Sequence, residues 1–227
     1  MATELVDGLW HINCQSRDKP NSYLVIDTNV TLVDAGWPTH ADTIRHGVQE
    51  AGYEIADIDR VLVTHYDADH VGSLGHLTPE LQAPIYIHHS EVPYLTGEAL
   101  PPWTGRMGIE IFHRLYYSRL TLPDLPIKPV TDLDNIDSFQ VHHTPGHTPG
   151  HVTYFHSSFR AAFIGDLAWM KRGSLRPSDR ITSYDRSKVF ESIARLVERL
   201  PRIRYLCPGH GRPVRDGTTR LASLLCN

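Results

Sequence analysis

The chain has 227 residues, of which 41% are hydrophobic and 21% charged, and its formal net charge is -4. This length suffices for a sizeable core. The negative net charge does not indicate a basic surface that would bind nucleic acid or an anionic membrane. No apolar run reaches the roughly 18 residues that a membrane-spanning helix needs. We therefore expect a globular protein that acts on a small molecule, without a nucleic-acid or membrane partner.

The N-terminal residues MATELVDGLWHIN include acidic residues and lack both a basic start and an apolar stretch, which argues against a signal peptide. Cys14, Cys207 and Cys226 form no CxxC pair and no evident disulfide framework. Reduced thiols and a cytoplasmic location are therefore expected. The sequence leaves the oligomeric state open, a homodimer included.

The first part of the chain is predicted to contain short strands and one helix. The helix places Ile44, Val48 and Ala51 on one face and ends at Gly52. A further short helical stretch is expected after His70. The predicted strands are 9–13, 22–27, 30–34, 60–64 and 83–88.

Residues 92–130 differ from their surroundings, because prolines interrupt them and apolar side chains recur at roughly helical spacing. Those side chains are Trp103, Met107, Ile111, Phe112, Leu115 and Tyr116. We predict a helical insertion that packs over the core. A lid and a plain helical decoration are both open interpretations.

The second part repeats the pattern, with strands predicted at 139–143, 152–155, 161–164 and 202–206. A helix is expected over 185–200, where apolar residues form a stripe and Pro201 ends it. A short C-terminal helix follows. The repeated order suggests two similar halves that pack sheet on sheet with helices outside.

Four metal-ligand side chains occur within six residues of the segment THYDADHVGS: His65, Asp67, Asp69 and His70. They follow a predicted buried strand, where loops commonly carry function. In an extended turn, His65 and Asp67 point the same way, whereas Asp69 and His70 face a second point as the chain becomes helical. The segment therefore suggests two adjacent metal positions.

Further candidate ligands follow later strands. His147 lies in HHTPGHTPGH, a turn that proline and glycine make rigid. Asp166 ends an apolar strand, and His210 lies in PGHG after another. The neighbouring His142, His143 and His151 are interpreted as packing or supporting groups, His88 and His89 as surface or capping residues, and Cys207 as an apolar strand-end residue.

The segments THYDADHVGS, HTPGHTPGH, IGD and PGHG occur in the order and rough spacing of the metallo-β-lactamase superfamily, which this chain resembles over nearly its whole length. The resemblance implies an αββα four-layer sandwich, with two mixed β-sheets flanked by helices, as a single domain over 1–227. It also implies that His65, Asp67 and His147 bind one metal and that Asp69, His70 and His210 bind another. Asp166 would bridge the two.

Asp67 departs from the usual HxHxDH motif of this family, because the chain has HxDxDH. A carboxylate is a harder ligand than imidazole and adds a negative charge, so it shifts preference toward Fe or Mn without excluding Zn. We expect two divalent metal ions per chain, with Zn first and Fe or Mn as alternatives.

The resemblance implies a dinuclear hydrolase in which a metal-bound hydroxide attacks a lactone, ester or thioester, while Asp69 orients the nucleophile or takes its proton. The alternative is a diiron redox protein that binds oxygen or nitric oxide, because the flavodiiron branch also has a carboxylate at the Asp67 position. A non-enzymatic metal-binding module is a third possibility.

Two observations bear on the substrate. The acyl-homoserine-lactone lactonases of this superfamily have a tyrosine where this chain has Trp169, which places that specific activity in doubt. Arg172, Arg176 and Tyr184 are expected in a solvated loop, where contact with an anionic or polar substrate is the competing interpretation.

Overall fold

The computed structural model describes residues 2–13, 20–99, 124–200 and 202–226. Their first sheet has seven strands, antiparallel from β1 to β4 and parallel from β4 to β7. In spatial order these strands are β1 (Ala2–Val6), β2 (Leu9–Asn13), β3 (Asn21–Ile26), β4 (Val30–Val33), β5 (Arg60–Leu62), β6 (Ile85–His88) and β7 (Ile127–Val130).

The second sheet has six strands, and a separate two-stranded hairpin lies between its members in sequence. The strands of the second sheet are β8 (Asn135–Ile136), β9 (Phe139–His143), β10 (Val152–His156), β11 (Ala161–Gly165), β14 (Tyr205–Pro208) and β15 (Val214–Arg215). The strands of the hairpin are β12 (Ala168–Lys171) and β13 (Ser174–Pro177). The spatial order of the sheet is β15-β14-β11-β10-β9-β8, with β11 and β14 parallel.

The helices connect these strands. The α-helices in the described part of the chain are α1 (Ala41–Glu50), α2 (Ala68–Val71), α3 (Leu74–Leu77), α4 (Val92–Leu95), α5 (Arg186–Arg199) and α6 (Gly217–Ala222), and the 3-10 turns are Pro38–His40, Ile55–Asp57 and Ser223–Leu225. No helix among the described residues is long and apolar enough to cross a membrane.

Alternating side chains divide the interior into three apolar layers. On β3, Tyr23 and Val25 face the second sheet, whereas Leu24 faces the helices of the first half. The inter-sheet layer also contains Phe139 and Phe163 from the second sheet. A third layer packs that sheet against α5 and α6. The four-layer αββα sandwich is therefore confirmed.

Helix α5 begins at a strong cap that also fixes a neighbouring loop. The carboxylate of Asp185 accepts from the backbone N–H of Ser187 at 3.0 Å and of Lys188 at 3.3 Å. Its own backbone N–H donates to the carbonyl of Gly146 at 2.8 Å. Because Gly146 precedes His147, the start of this helix positions the turn that carries His147.

Two of the differences from the sequence prediction concern the insertion and the loop after Asp166. Ile127–Val130, expected at the end of the insertion, instead forms β7 and pairs with β6. Arg172 and Arg176, expected in a solvated loop, belong to the β12–β13 hairpin, Arg176 on β13 and Arg172 at its turn. The helical residues predicted between Trp103 and Tyr116 lie outside the described residues.

We predict that Asp185→Ala lowers the free energy of unfolding by about 1 kcal/mol, because two backbone N–H groups lose their acceptor. Asp185→Asn keeps an acceptor and should restore most of the loss. Denaturant unfolding followed by circular dichroism measures both variants. Equal stability of Asp185→Ala and the wild type would contradict this account of the cap.

Candidate metal centre

The seven predicted ligand residues come from four segments that meet at one edge of the sandwich. The segment after β5 supplies His65, Asp67, Asp69 and His70, and the β9–β10 turn supplies His147. Asp166 directly follows β11, and His210 lies two residues past β14. Because β11 and β14 are parallel, their carboxyl ends lie at the same edge. All seven side chains are brought together there.

One group consists of His65, Asp67 and His147. Oδ2 of Asp67 lies 3.6 Å from Nε2 of His65 and 3.1 Å from Nε2 of His147. One ligand atom from each residue lies within 4.8 Å of the other two, and all three residues are buried. This spacing suits one metal ion between them.

A second group consists of Asp69, His70 and His210, which meet the same spacing limit. Oδ2 of Asp69 lies 3.3 Å from Nε2 of His210 and 3.9 Å from Nε2 of His70. Asp166 lies between the groups. Its Oδ1 is 3.4 Å from Nε2 of His70, and its Oδ2 is 3.6 Å from Nε2 of His147 and 3.4 Å from Nε2 of His210.

Asp34 orients two of the histidines through one hydrogen-bond network. Its Oδ2 accepts from Nδ1 of His70 at 2.9 Å and from the hydroxyl of Thr64 at 2.8 Å, and its Oδ1 accepts from the Thr64 backbone N–H at 2.8 Å. The Thr64 hydroxyl, having given its proton to Asp34, accepts from Nδ1 of His65 at 3.0 Å. In the neutral rings, both Nε2 atoms therefore face the centre with a lone pair.

His147 and Asp166 also have supporting partners. Nδ1 of His147 lies 2.9 Å from the hydroxyl of Ser178, which itself accepts from Ser183 at 2.9 Å. The backbone N–H of Asp166 donates to Nε2 of His151 at 3.1 Å. His151 thus lies in the supporting position that the sequence predicted.

A buried carboxylate that the sequence did not reveal joins the two ligand-bearing loops. Glu91 is fully buried, and its Oε2 accepts from the backbone N–H of Tyr66 at 3.0 Å, while its Oε1 accepts from that of Gly150 at 2.6 Å. Tyr66 lies between His65 and Asp67. Glu91 therefore ties the loop from the first sheet to the turn that carries His147.

Burial and charge shift the pKa values in opposite directions across the centre. Burial alone would lower the pKa of His210, but Asp166 and Asp69 outweigh it and raise that pKa to about 10. Burial would raise the pKa of Asp166, but His210 and His70 hold it well below its usual range. The carboxylates thus create a field that favours a cation, and protons and metal ions compete for it.

The donor set fits metal ions. Nε2 of His65, Nε2 of His70 and Oδ1 of Asp166 are buried and have no hydrogen-bond partner among the described residues. Leaving such atoms unsatisfied costs free energy, which a bound cation would recover. Imidazole and carboxylate ligands suit Zn, Fe and Mn.

Two glycines let the backbone approach the centre closely. A Cβ atom at Gly209 would collide with Oδ1 of Asp166 and lie 2.7 Å from Cε1 of His70. Gly165 has φ +45°, and a Cβ there would lie 2.6 Å from Oγ1 of Thr64. Both loops therefore depend on glycine beside a candidate ligand.

The other histidines of the sequence motifs do not join the two ligand groups. His88 is buried rather than on the surface; its ring stacks on His143 at 4.2 Å, and its Nδ1 accepts from the Ser90 backbone, a capping contact. His89 is exposed. His142 packs on the α5 side of the second sheet, because the preceding Val141 faces the inter-sheet layer.

Residues 16–210 match the sequence profile of the Metallo-beta-lactamase superfamily. The chain belongs to this superfamily. The family resemblance predicted from the four motifs is therefore confirmed.

Similar proteins include two probable metallo-hydrolases of Bacillus subtilis (strain 168). YybB is 29% identical over 191 residues, which cover 82% of this chain and 77% of YybB. YqjP is 26% identical over 215 residues, which cover 85% of this chain and 67% of YqjP.

Two solved structures, one of them described as a metallo-beta-lactamase family protein, share the fold. The family protein TTHA1429 from Thermus thermophilus aligns with a TM-score of 0.73 at 21% identity, covering 98% of this chain and 80% of that chain. TTHA1623, solved in a di-iron-bound form, aligns with a TM-score of 0.64 at 29% identity, covering 88% of this chain and 91% of that chain.

We predict that Glu91→Gln weakens metal binding in the group of His65, Asp67 and His147 about tenfold, the low end for supporting partners of a metal site. Glutamine can accept with only one side-chain oxygen, so one of the two backbone N–H groups that Glu91 binds, that of Tyr66 or that of Gly150, loses its acceptor. Metal content after dialysis against graded chelator concentrations measures the effect. The control is Glu98→Gln at an exposed position. Identical metal retention in both variants would contradict the proposed role of Glu91 in joining the two loops.

We predict that His142 makes stability pH-dependent. Burial and the charge of Arg199 lower its pKa to about 4, so the folded state keeps it neutral where the unfolded state takes up a proton. The contribution of neutral His142 to the free energy of unfolding is complete above pH 6.5 and is lost as the pH falls toward 4. The stability of His142→Leu relative to the wild type should therefore rise between pH 7.5 and pH 5 in thermal melts.

The exposed His46 on α1 provides the matched control. The difference in melting temperature between His46→Leu and the wild type should stay constant over the same pH range. A constant difference between His142→Leu and the wild type at both pH values would refute the assignment.

Proposed function

We propose that this chain is a dinuclear metal-dependent hydrolase of carbonyl-type substrates, namely lactones, esters or thioesters. The observation that carries the proposal is the pair of three-residue groups with Asp166 between them. Two buried histidines in these groups aim unpartnered Nε2 atoms at one centre. Membership of the Metallo-beta-lactamase superfamily and the similarity to the probable metallo-hydrolase YybB support the same class.

His65, Asp67 and His147 would hold one metal, Asp69, His70 and His210 the other, and Asp166 would bridge them. When bound, two such ions supply Lewis acidity and lower the pKa of a water molecule to roughly 7. The Asp34 network fixes the rings of His65 and His70, so that the ligand atoms need no rearrangement.

Asp69 is the carboxylate best placed to handle a proton. Its side chain is 18% exposed, against 7% for Asp67 and 6% for Asp166, so Asp69 is the most solvent-accessible of the three carboxylates. His210, 3.3 Å away, holds the Asp69 oxygen in place. We assign Asp69 the role of orienting the attacking water and accepting its proton.

A diiron redox protein is the second candidate. Asp67 supplies a carboxylate where the family motif has histidine, which favours iron. The similarity to TTHA1623, solved in a di-iron-bound form, supports iron as an occupant. A partner protein would have to deliver the electrons.

Metal analysis after expression with Zn, Fe and Mn all available separates these candidates. About two zinc per chain, with turnover of a lactone, ester or thioester, is the expected result. Two iron with visible absorption and oxygen consumption, and no hydrolysis by either metal form, would support the redox candidate. A metal-loaded protein without either activity would indicate a binding module.

We predict that His147→Ala loses one of the two metals while the circular dichroism spectrum stays native, because only one group loses a ligand. Hydrolysis should fall at least a hundredfold, since both ions act on the same substrate. The exposed His46→Ala serves as the control for histidine removal. Full metal occupancy in His147→Ala would overturn the ligand assignment.

A further inference from the structure

The β12–β13 hairpin has two chemically different faces. Its register pairs Trp169 with Arg176, Met170 with Leu175, and Lys171 with Ser174. Leu175 and Met170 pack into the apolar layer beneath α5 and α6. Because directly opposed residues share a face and neighbours alternate, Trp169 and Arg176 lie together on the other face.

That other face borders the metal centre. The Trp169 ring lies edge-on to His147 and His210, with centroid distances of 6.2 Å and 5.8 Å. The backbone N–H of Met170 also donates to the carbonyl of His210 at 3.0 Å, which fixes the hairpin against the His210 loop. Arg176 is therefore the cross-strand neighbour of a side chain that contacts two candidate ligands, with Cβ atoms about 5 Å apart.

Arg176 is a cation without a counter-ion in the described part of the chain, where no carboxylate oxygen lies within the 4.0 Å that defines an ion pair. Only three of the described arginines have such an ion pair: Arg45 with Glu80, Arg60 with Asp137 and Arg199 with Asp132. The Arg176 side chain is exposed. Lys171, on the same face, has Asp179 as an electrostatic neighbour, which partly offsets its charge.

We propose that Arg176 binds a carboxylate of the substrate while the scissile carbonyl lies at the metal centre, with Trp169 between them. The proposal rests on the proposed hydrolase function and narrows its substrate class to esters, lactones or thioesters of carboxylate-bearing acids or alcohols. The guanidinium presents a planar fork that matches a carboxylate, and the Trp169 ring offers an apolar surface to the linking carbons.

The test uses two matched pairs of esters, so that the carboxylate lies either in the acyl part or in the leaving alcohol. The pairs are 4-nitrophenyl hydrogen glutarate with 4-nitrophenyl valerate, and 3-acetoxybenzoate with 3-methylphenyl acetate. In the wild type, the anionic member of at least one pair should have the higher kcat/KM. Arg176→Met should reduce that preference about tenfold, mainly through KM, as expected for one charge-assisted contact.

The control is Arg172→Met at the exposed turn of the same hairpin, which should keep the wild-type preference. Equal kcat/KM within both pairs, or an unchanged preference in Arg176→Met, would overturn the subsite. If the wild type hydrolyses none of the four esters, the proposed function fails for esters, and calorimetric titration with monomethyl glutarate tests the subsite alone. Weaker binding to Arg176→Met than to the wild type supports it, and equal binding refutes it.

Discussion

Repulsion among three carboxylates is the constraint on which this centre depends. Asp67 and Asp166 both lie within 4 Å of His147, and Asp69 and Asp166 both lie within 4 Å of His210. Buried charges of one sign are costly unless cations stand between them. The interleaved histidines, with the protons or metal ions they bind, meet this need. Asp34 adds a fourth acid behind them, so the arrangement gains stability from every cation it holds.

The two sheets are joined by polar contacts beside this centre as well as by the apolar layer between them. The Val152 backbone N–H donates to the Thr64 carbonyl at 2.9 Å, and the Tyr154 hydroxyl lies 3.0 Å from the Val63 carbonyl. Glu91 adds its two backbone contacts to the same junction. Because each ligand group takes residues from both sheets, any loosening of this junction changes the spacing of its ligands. We therefore expect a change in the packing of the two sheets to change the affinity of the centre for metal ions.

The sequence located the seven candidate ligand residues, which the structure brings together, better than it located their surroundings. Each of the seven follows a strand or lies in a glycine-containing turn, so local patterns sufficed to find them. Glu91 offered no such signal, because a lone glutamate before a short helix resembles a solvated one and its partners are distant backbone groups. The exposed pattern of Lys171, Arg172 and Arg176 resembled a loop, since only one face of a two-stranded hairpin is buried. Pro129 concealed β7, which tolerates it at the edge of the sheet.

The distribution of ligands along the chain has a consequence for biosynthesis. Asn21 near the start contacts the carbonyls of Pro208 and Gly211, on either side of His210. Asp69 must likewise meet His210 to complete its ligand group. Contacts between such distant segments form late in folding. The nascent chain therefore cannot complete the candidate metal centre until the His210 loop has left the ribosome. A metal ion that needs ligands from both segments would therefore enter a nearly finished fold.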